Sequence, residues 1–179
     1  MARNIEIKAA IESVAALIPK VAAFDTEEPV EITQYDTFFR CAHGRLKLRV
    51  FSDDRGELIF YHRADRQGPK ESFYLITQTS SPKELRELLS QSNGQVGRVE
   101  KNRTLFFAGR IRIHLDRVKD LGDFIEIEVV LKDGEAIEAG IAEAHALMEQ
   151  LGVKSSQLIE GAYVDLLLQR RVYPPIRRS

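Results

Sequence analysis

Asn4-Ile5-Glu6-Ile7-Lys8 alternates polar residues with branched apolar ones. Side chains alternate between the two faces of a β-strand, so the three polar residues of this stretch share one face and the two isoleucines share the other. A carboxylate and an ammonium group therefore lie on the same side of the predicted strand, and its other side is apolar.

The same alternation returns in four later segments. Residues 124–129 place Glu126 and Glu128 on one face and branched apolar residues on the other. Three further segments alternate basic with apolar residues, and their bases are Arg45, Lys47 and Arg49, then Lys101 and Arg103, then Arg110 and Arg112. Bases are thus concentrated in three predicted strands and acids in another.

The composition indicates a globular protein. The 179 residues are 44% hydrophobic and 30% charged, which suits one domain with a substantial core, and the net charge of -1 gives no reason to expect nucleic-acid binding. Cys41 is the only cysteine, which excludes an intramolecular disulfide and a cysteine-rich zinc site. Because no segment approaches the roughly 20 apolar residues that cross a bilayer and no signal-peptide pattern is present, we expect a cytoplasmic protein without a membrane partner.

Eight strands and three helices are predicted along the chain. The strands are expected near residues 4–8, 31–40, 44–52, 57–64, 71–78, 96–108, 110–118 and 123–131, and the helices near 13–23, 81–91 and 135–151. Residues 163–169 are expected to form a last strand or helix. Short turns without regular helices between the strands favour an antiparallel barrel or sandwich over a parallel sheet. We expect a single domain over residues 1–179, with a loose tail at 170–179.

Two structures would use the charged faces differently. Each strand taken alone favours a charged face in water and an apolar face on the core. The separation of bases and acids onto different strands instead favours a barrel whose charged face lines a wet tunnel. Such a tunnel would suit a polyanion and its metal, because Arg and Lys bind phosphates and carboxylates suit Mg²⁺ or Mn²⁺.

The stretch at residues 4–8 resembles the Glu-x-Glu-x-Lys signature of the CYTH superfamily, the triphosphate tunnel metalloenzymes. Residues 34–39, 44–49, 61–63, 99–103, 113–116 and 126–128 resemble the later blocks of that family in order. The resemblance runs from about residue 3 to residue 163 and is closest to the class IV adenylyl cyclase-like branch. It implies an α+β fold, mainly β, in which a closed antiparallel eight-stranded β-barrel has helices packed outside.

The resemblance also implies a site. Metal ligands would be Glu6, Glu126 and Glu128, with Asp116 completing the acidic end, and the metal would be Mg²⁺ or Mn²⁺. Phosphate contacts would come from Lys8, Lys47, Arg49, Arg63, Lys101, Arg103 and Arg112, of which Lys8 and Arg63 would also be catalytic. The partner would be a small molecule with a triphosphate, such as ATP, and a homodimer stays open.

Three residues depart from the family's pattern. Asn4 stands where the signature has its first glutamate, which removes a negative charge and would lower the affinity for metal. Phe38 stands where the family often has tyrosine, and Arg63 where several triphosphatases have a lysine that would help to activate a nucleophile. Because arginine does not give up its proton near neutral pH, catalysis would depend on positioning and charge stabilisation.

Three functions stay open at this point. The first is a cyclase resembling class IV adenylyl cyclases, in which the ribose 3′-hydroxyl of ATP attacks the α-phosphorus and pyrophosphate leaves. The second is a triphosphatase that hydrolyses inorganic, nucleoside or thiamine triphosphate. The third is a protein that binds a triphosphate or polyphosphate without turnover, which Asn4 and the missing lysine would favour. His114 shares a face with Arg112 and Asp116, and we expect a structural hydrogen bond there rather than catalysis.

Overall fold

Eight strands close into one barrel in the computed structural model, which describes residues 2–63 and 67–172. The strands are β1 (Ala2–Ile11), β2 (Val30–Phe39), β3 (Arg45–Ser52), β4 (Arg55–Arg63), β5 (Lys70–Thr79), β6 (Gln95–Ala108), β7 (Ile111–Val118) and β8 (Gly122–Val130). Their order around the barrel is β1, β5, β4, β3, β2, β6, β7, β8, and neighbouring strands are antiparallel. The prediction of a mainly β, α+β fold with a closed eight-stranded barrel is confirmed.

Four α-helices accompany the barrel in the part of the chain that the structure describes. They are α1 (Val14–Ala22), α2 (Pro82–Ser92), α3 (Ile137–Gln150) and α4 (Tyr163–Val172). The last segment is therefore a helix, and it includes residues 170–172, where we expected the loose tail to begin. Residues 173–179 of that tail lie outside the described residues. None of the described helices has both the length and the apolar character needed to cross a membrane.

Local sequence signals explain where the first two helices begin. Ser13 precedes α1, and its Oγ accepts a hydrogen bond from the N–H of Ala16, which caps the helix. Pro19 lies inside α1, yet the helix continues to Ala22. Pro82 begins α2, where the missing N–H of proline leaves no helical hydrogen bond unmade.

The main apolar core lies between the barrel wall and the helices outside it. Ile5 and Ile7 of β1 pack with Ile125 of β8 and with residues of α1 and α3. Gly140 lets α3 approach closely, because a Cβ at this position would lie 2.8 Å from side-chain atoms of both Ile5 and Leu131. The apolar face of β1 therefore points outwards, and its polar face points into the barrel.

The chain segment that leads into α4 covers one end of the barrel. The N–H of Ile159 donates to the carbonyl of Lys8, and Arg63 Nη2 donates to the carbonyl of Gly161 at 2.6 Å. Tyr163 then packs into an apolar cluster with residues from β2, β4 and β8. We call this the covered end of the barrel.

Candidate active site

The interior of the barrel holds a cavity of about 360 Å³ with a highly charged wall. Its basic lining residues are Lys8, Lys47, Arg49, Arg63, Lys101, Arg103 and Arg112, and its acidic ones are Asp36, Glu57, Glu126 and Glu128. All seven bases that the resemblance assigned to phosphates thus line one cavity, together with two of the four proposed metal ligands. The alternating charges mark an inner face and not a solvated outer one.

Two bases of the alternating segments lie elsewhere. Arg45 at the start of β3 donates to Asp165 of α4 at 3.0 Å. Arg110, in the turn before β7, donates to Glu135 at 2.7 Å and to Glu143 of α3. These two arginines tie the barrel to α4 and to α3, so the alternation alone overestimates the number of bases in the cavity.

The strand register explains why acids and bases meet on one wall. Two rows of side chains cross the inner face from β1 through β8 to β7. The first row is Glu6, Glu128 and Arg112, and the second row is Lys8, Glu126 and His114. Residues directly opposite each other on antiparallel strands point to the same face with Cβ atoms roughly 5 Å apart, so each row brings three polar groups into contact range.

His114, Glu126 and Glu128 form a group that could hold a cation. One ligand atom from each, an imidazole nitrogen and two carboxylate oxygens, lies within 4.8 Å of the other two. Glu126 Oε2 also lies 3.0 Å from Lys8 Nζ, and Glu128 Oε2 lies 3.2 Å from Arg112 Nε. A carboxylate has two oxygens and several lone pairs, so each glutamate can keep its base and still offer a ligand to a cation. The donor set fits a divalent metal.

Glu6 lies on the same inner face, but its side chain is covered by its neighbours. Its side chain is 1% exposed and does not line the cavity. The carboxylate accepts hydrogen bonds from the Tyr74 hydroxyl and, at 3.1 Å, from Arg63 Nη1. The register places Glu6 beside Glu128, so the structure brings it next to the candidate cation group. Its role as a metal ligand stays a prediction.

Asp116 lies among bases rather than among acids. Its two oxygens accept hydrogen bonds from Nε and Nη2 of Arg103 at 2.7 Å, and one oxygen also accepts from the Tyr163 hydroxyl at 2.8 Å. Lys101 Nζ lies 3.4 Å away. The structure therefore does not bring Asp116 together with the acids of β1 and β8. It fixes the orientation of the Arg103 guanidinium instead.

Asp36 repeats this arrangement on β2, and sequence reasoning gave it no role. Its carboxylate accepts two hydrogen bonds from Arg49 at 2.8 Å and one from Lys47 at 3.0 Å, and the residue is 4% exposed. Burial would raise the pKa of Asp36, but the neighbouring charges of Lys47 and Arg49 hold it well below its usual range. Asp36 lies opposite Arg49 in the β2–β3 register, and the sequence alone does not reveal this pairing.

The two lysines of this basic wall have lowered pKa values. Burial, followed by the positive charge of Arg49, lowers the pKa of Lys47 to about 8. Burial, followed by the charge of Arg103, lowers the pKa of Lys101 to about 7. Because nearby negative charge favours the protonated form of an amine, both ammonium groups would be stabilised by an anion in the cavity.

The three neighbouring glutamates have pKa shifts of opposite sign. Burial, then the negative charges of Glu6 and Glu126, raise the pKa of Glu128 to about 7. Burial and the charge of Glu126 also raise the pKa of Glu6. Burial opposes ionisation of Glu126 as well, but Lys8 and Arg103 together bring its pKa well below the usual value. A cation among these carboxylates would relieve their mutual repulsion.

His114 belongs to the site more directly than the sequence indicated. The residue is 4% exposed, and its Nδ1 has no hydrogen-bond partner among the described residues. Burial, followed by the charge of Arg103, lowers its pKa well below 6.5, so the imidazole is neutral at neutral pH, the form that binds metals. The signal in the sequence was its shared face with Arg112.

Aromatic rings border the cavity near the covered end of the barrel. Lys8 Nζ lies 4.1 Å from the centre of the Tyr163 ring, a distance at which the ring face attracts the cation. Tyr61 and Tyr74 are stacked with ring centres 5.7 Å apart. Phe38 places a ring without a hydroxyl 5.7 Å from Lys47 Nζ. The bases at this end are therefore held by aromatic faces as well as by acids.

The profile of the CYTH domain family matches residues 2–163. The chain belongs to the CYTH family. The resemblance stated from the sequence is thereby confirmed. Members of the family are adenylyl cyclase-like or triphosphatase enzymes, and CYTH tunnel enzymes are generally dependent on a divalent metal. None of the curated proteins compared with the chain matches it.

Solved structures share the barrel. The PH1012 protein from Pyrococcus horikoshii OT3 has a TM-score of 0.79 at 20% identity, with 91% of this chain and 98% of that chain covered. A candidate adenylate cyclase from Vibrio parahaemolyticus has a TM-score of 0.70 at 17% identity, with 92% and 97% covered. A candidate adenylyl cyclase from Hippeastrum, described as having a dominant triphosphatase activity, has a TM-score of 0.65 at 13% identity, with 96% of each chain covered. At these identities the likeness shows the fold.

The substitution Asp36→Asn tests whether the basic wall depends on its internal acid. Removal of one partner from a buried ion pair leaves an uncompensated charge, so we expect a loss of about 3 kcal/mol in the free energy of unfolding. Urea unfolding followed by circular dichroism measures it. The control Glu71→Gln breaks the exposed pair of Arg3 and Glu71 and should cost less than about 1 kcal/mol. Equal losses in both variants would contradict this role of Asp36.

Proposed function

We propose that this CYTH protein is a divalent-metal-dependent enzyme that converts ATP to cyclic AMP and pyrophosphate, as in class IV adenylyl cyclases. The observation that carries the proposal is the cavity itself, which brings seven bases together with a group of ligands that could hold a cation. The similarity to a candidate adenylate cyclase with the same barrel supports it. The metal is Mg²⁺ or Mn²⁺, the ions that suit carboxylates beside phosphate.

Acids and bases face each other across the cavity. In the closed order of eight strands, β8 and β3 are four places apart and so form opposite walls. Glu126 and Glu128 lie on β8, and Lys47 and Arg49 lie on β3. A triphosphate between these walls would have its oxygens contacted by bases on one side and by the cation group on the other, which suits positioning for phosphoryl chemistry.

The balance of charge supports a metal. Among the described residues, seven bases line the cavity and Lys70 is buried opposite Glu6, and they are balanced by four lining acids and by the buried Glu6 and Asp116. The interior thus has only two bases more than it has acids, whereas a triphosphate carries several negative charges. A bound divalent ion would supply the missing positive charge and orient the triphosphate.

The chain's own residues supply the remaining parts of the mechanism. Lys47, Arg49 and Arg103 bind phosphate oxygens and stay oriented by Asp36 and Asp116. These donors stabilise the negative charge that develops on the leaving pyrophosphate. The acids that hold them keep the donors in place before the substrate arrives, so little reorganisation is needed during the reaction.

Lys8 and Arg63 have different catalytic roles. Arg63 is fixed by Glu6 and by the Gly161 carbonyl and keeps its proton, so it stabilises charge and does not act as a base. Burial lowers the pKa of Lys8, which lies 3.0 Å from Glu126. A lowered pKa makes the unprotonated amine more accessible, and we assign Lys8 to the proton of the attacking hydroxyl.

A triphosphatase is the second candidate. In that reaction water attacks the terminal phosphorus, and the same opposed walls would bind the substrate. The specific observation in its favour is the Hippeastrum protein, a candidate cyclase of the same fold for which a dominant triphosphatase activity is described.

Product analysis separates these functions. The protein is incubated with ATP, inorganic triphosphate and thiamine triphosphate, each with Mg²⁺ or Mn²⁺, and the products are separated by ion exchange. Cyclic AMP with pyrophosphate is the expected result. Orthophosphate without cyclic AMP would reject the cyclase in favour of the triphosphatase, and the absence of any turnover would reject both. Replacing Glu126 and Glu128 together by Gln should abolish turnover, whereas the control Glu100→Gln, whose side chain is 44% exposed and pairs with Lys119, should not change it.

The lowered pKa of Lys101 predicts proton uptake when inorganic triphosphate binds. At pH 8 an amine with a pKa of about 7 is mostly neutral, and the anion favours its charged form. Calorimetry in buffers of different ionisation enthalpy measures the protons taken up. In Lys101→Arg the side chain is always charged, so uptake at pH 8 should fall by up to about one proton per triphosphate. Identical uptake by both proteins would contradict binding at Lys101.

A further inference from the structure

The group formed by His114, Glu126 and Glu128 differs from an all-carboxylate site because one member is an imidazole. His114 lies opposite Glu126 in the β7–β8 register, and its Nε2 lies 3.9 Å from Glu128 Oε2. The ligand atoms of the three lie within 4.8 Å of one another. An ion about 2.1 Å from each ligand holds two ligands at most about 4.2 Å apart, so shifts of roughly half an ångström close the group around it.

Five residues that line the same cavity have a buried polar side-chain atom without a hydrogen-bond partner among the described residues, namely Asn4, Gln34, Arg63, Arg112 and His114. Those on the wall of β1, β8 and β7 that could bind a metal are Nδ1 of His114 and Oδ1 of Asn4, whose residues are 4% and 3% exposed. A buried polar atom left without a hydrogen bond costs about 1–3 kcal/mol, so folded proteins rarely keep one without a reason. Both atoms are of types that bind divalent metals, which indicates a ligand site rather than a packing role.

A structural hydrogen bond does not explain His114. The 3.9 Å separation between its Nε2 and Glu128 Oε2 is too long for a hydrogen bond, and Nδ1 has no partner among the described residues. His114 nevertheless occupies a buried position in the row that also contains Lys8 and Glu126. The structural hydrogen bond expected from the sequence is therefore missing, and we infer that the imidazole has another partner.

We propose that His114 is a nitrogen ligand of the metal and makes this site prefer a transition-metal dication such as Mn²⁺ over Mg²⁺. The inference rests on the proposed metal-dependent function and concerns the same site. Imidazole suits transition metals, whereas Mg²⁺ is held by oxygen ligands and retains several waters.

Pulsed electron paramagnetic resonance of bound Mn²⁺ tests the proposal without measuring activity. The full chain is loaded with Mn²⁺, with and without inorganic triphosphate, once with natural histidine and once with ¹⁵N-labelled histidine. We expect a histidine nitrogen coupling that changes with the label. Bound Mn²⁺ without such a coupling would overturn the proposal, and so would a failure to bind Mn²⁺ in either condition. This result needs no variant, so it stands even if a substitution at His114 prevents folding.

Two variants assign the coupling. His114→Gln should lose it, whereas His145→Gln, an exposed residue of α3, should keep it. Retention of the coupling in His114→Gln would overturn the proposal. Calorimetry adds the selectivity: His114→Gln should weaken Mn²⁺ binding about tenfold or more and change Mg²⁺ binding much less. Equal losses for both ions would contradict the preference for a transition metal.

The Mn²⁺ spectrum tests the role of His114, and the product analysis tests the enzymatic reaction, so either can fail without the other. Product analysis could give cyclic AMP while the Mn²⁺ spectrum shows only oxygen ligands, in which case the enzyme stands and the role of His114 falls. A histidine coupling in a protein that turns over none of the three triphosphates would keep the metal ligand and reject the enzymatic reaction.

Discussion

The interior of the barrel depends on the pairing of buried charges. An isolated charge out of water is strongly unfavourable, and removing one member of a buried pair is more harmful than never having had the pair. Each cavity base has an acid within reach. The pairs are Lys47 and Arg49 with Asp36, Lys101 and Arg103 with Asp116, Lys8 with Glu126, Arg63 with Glu6, and Arg112 with Glu128. The acids make a basic cavity possible in a folded chain.

This pairing also explains how one cavity can be stable without a ligand and still bind an anion. Arginine has five N–H donors and lysine has three, so a base that contacts one carboxylate retains donors for phosphate oxygens. Asp36 and Asp116 leave their bases with fixed orientations, which lowers the entropy lost when a triphosphate binds. The acids of β8 differ because they share their wall with His114, and there the pairing leaves room for a cation. The two walls therefore have complementary functions.

The strands and their inner faces could be predicted because a period of two identifies the face of each residue. The sequence stretch at residues 4–8 and the segment around Glu126 showed which side chains share a face, and the structure confirms both. Pairs across strands could not be predicted, since they depend on register and on barrel closure. Asp116 was therefore assigned to the metal although it holds Arg103, and Asp36 received no role. The sequence could not show that His114 and Glu126 are neighbours, because this depends on the pairing of β7 with β8.

Crystals grown with Mn²⁺ and inorganic triphosphate would show whether metal and phosphate bind between the two walls, because manganese is located by its anomalous scattering. We expect manganese between Glu126 and Glu128 inside the barrel, with phosphate oxygens contacting the bases of β3 and β6. Manganese and triphosphate bound only on the outer surface, with Lys47 and Arg103 still paired to their acids alone, would contradict this expectation.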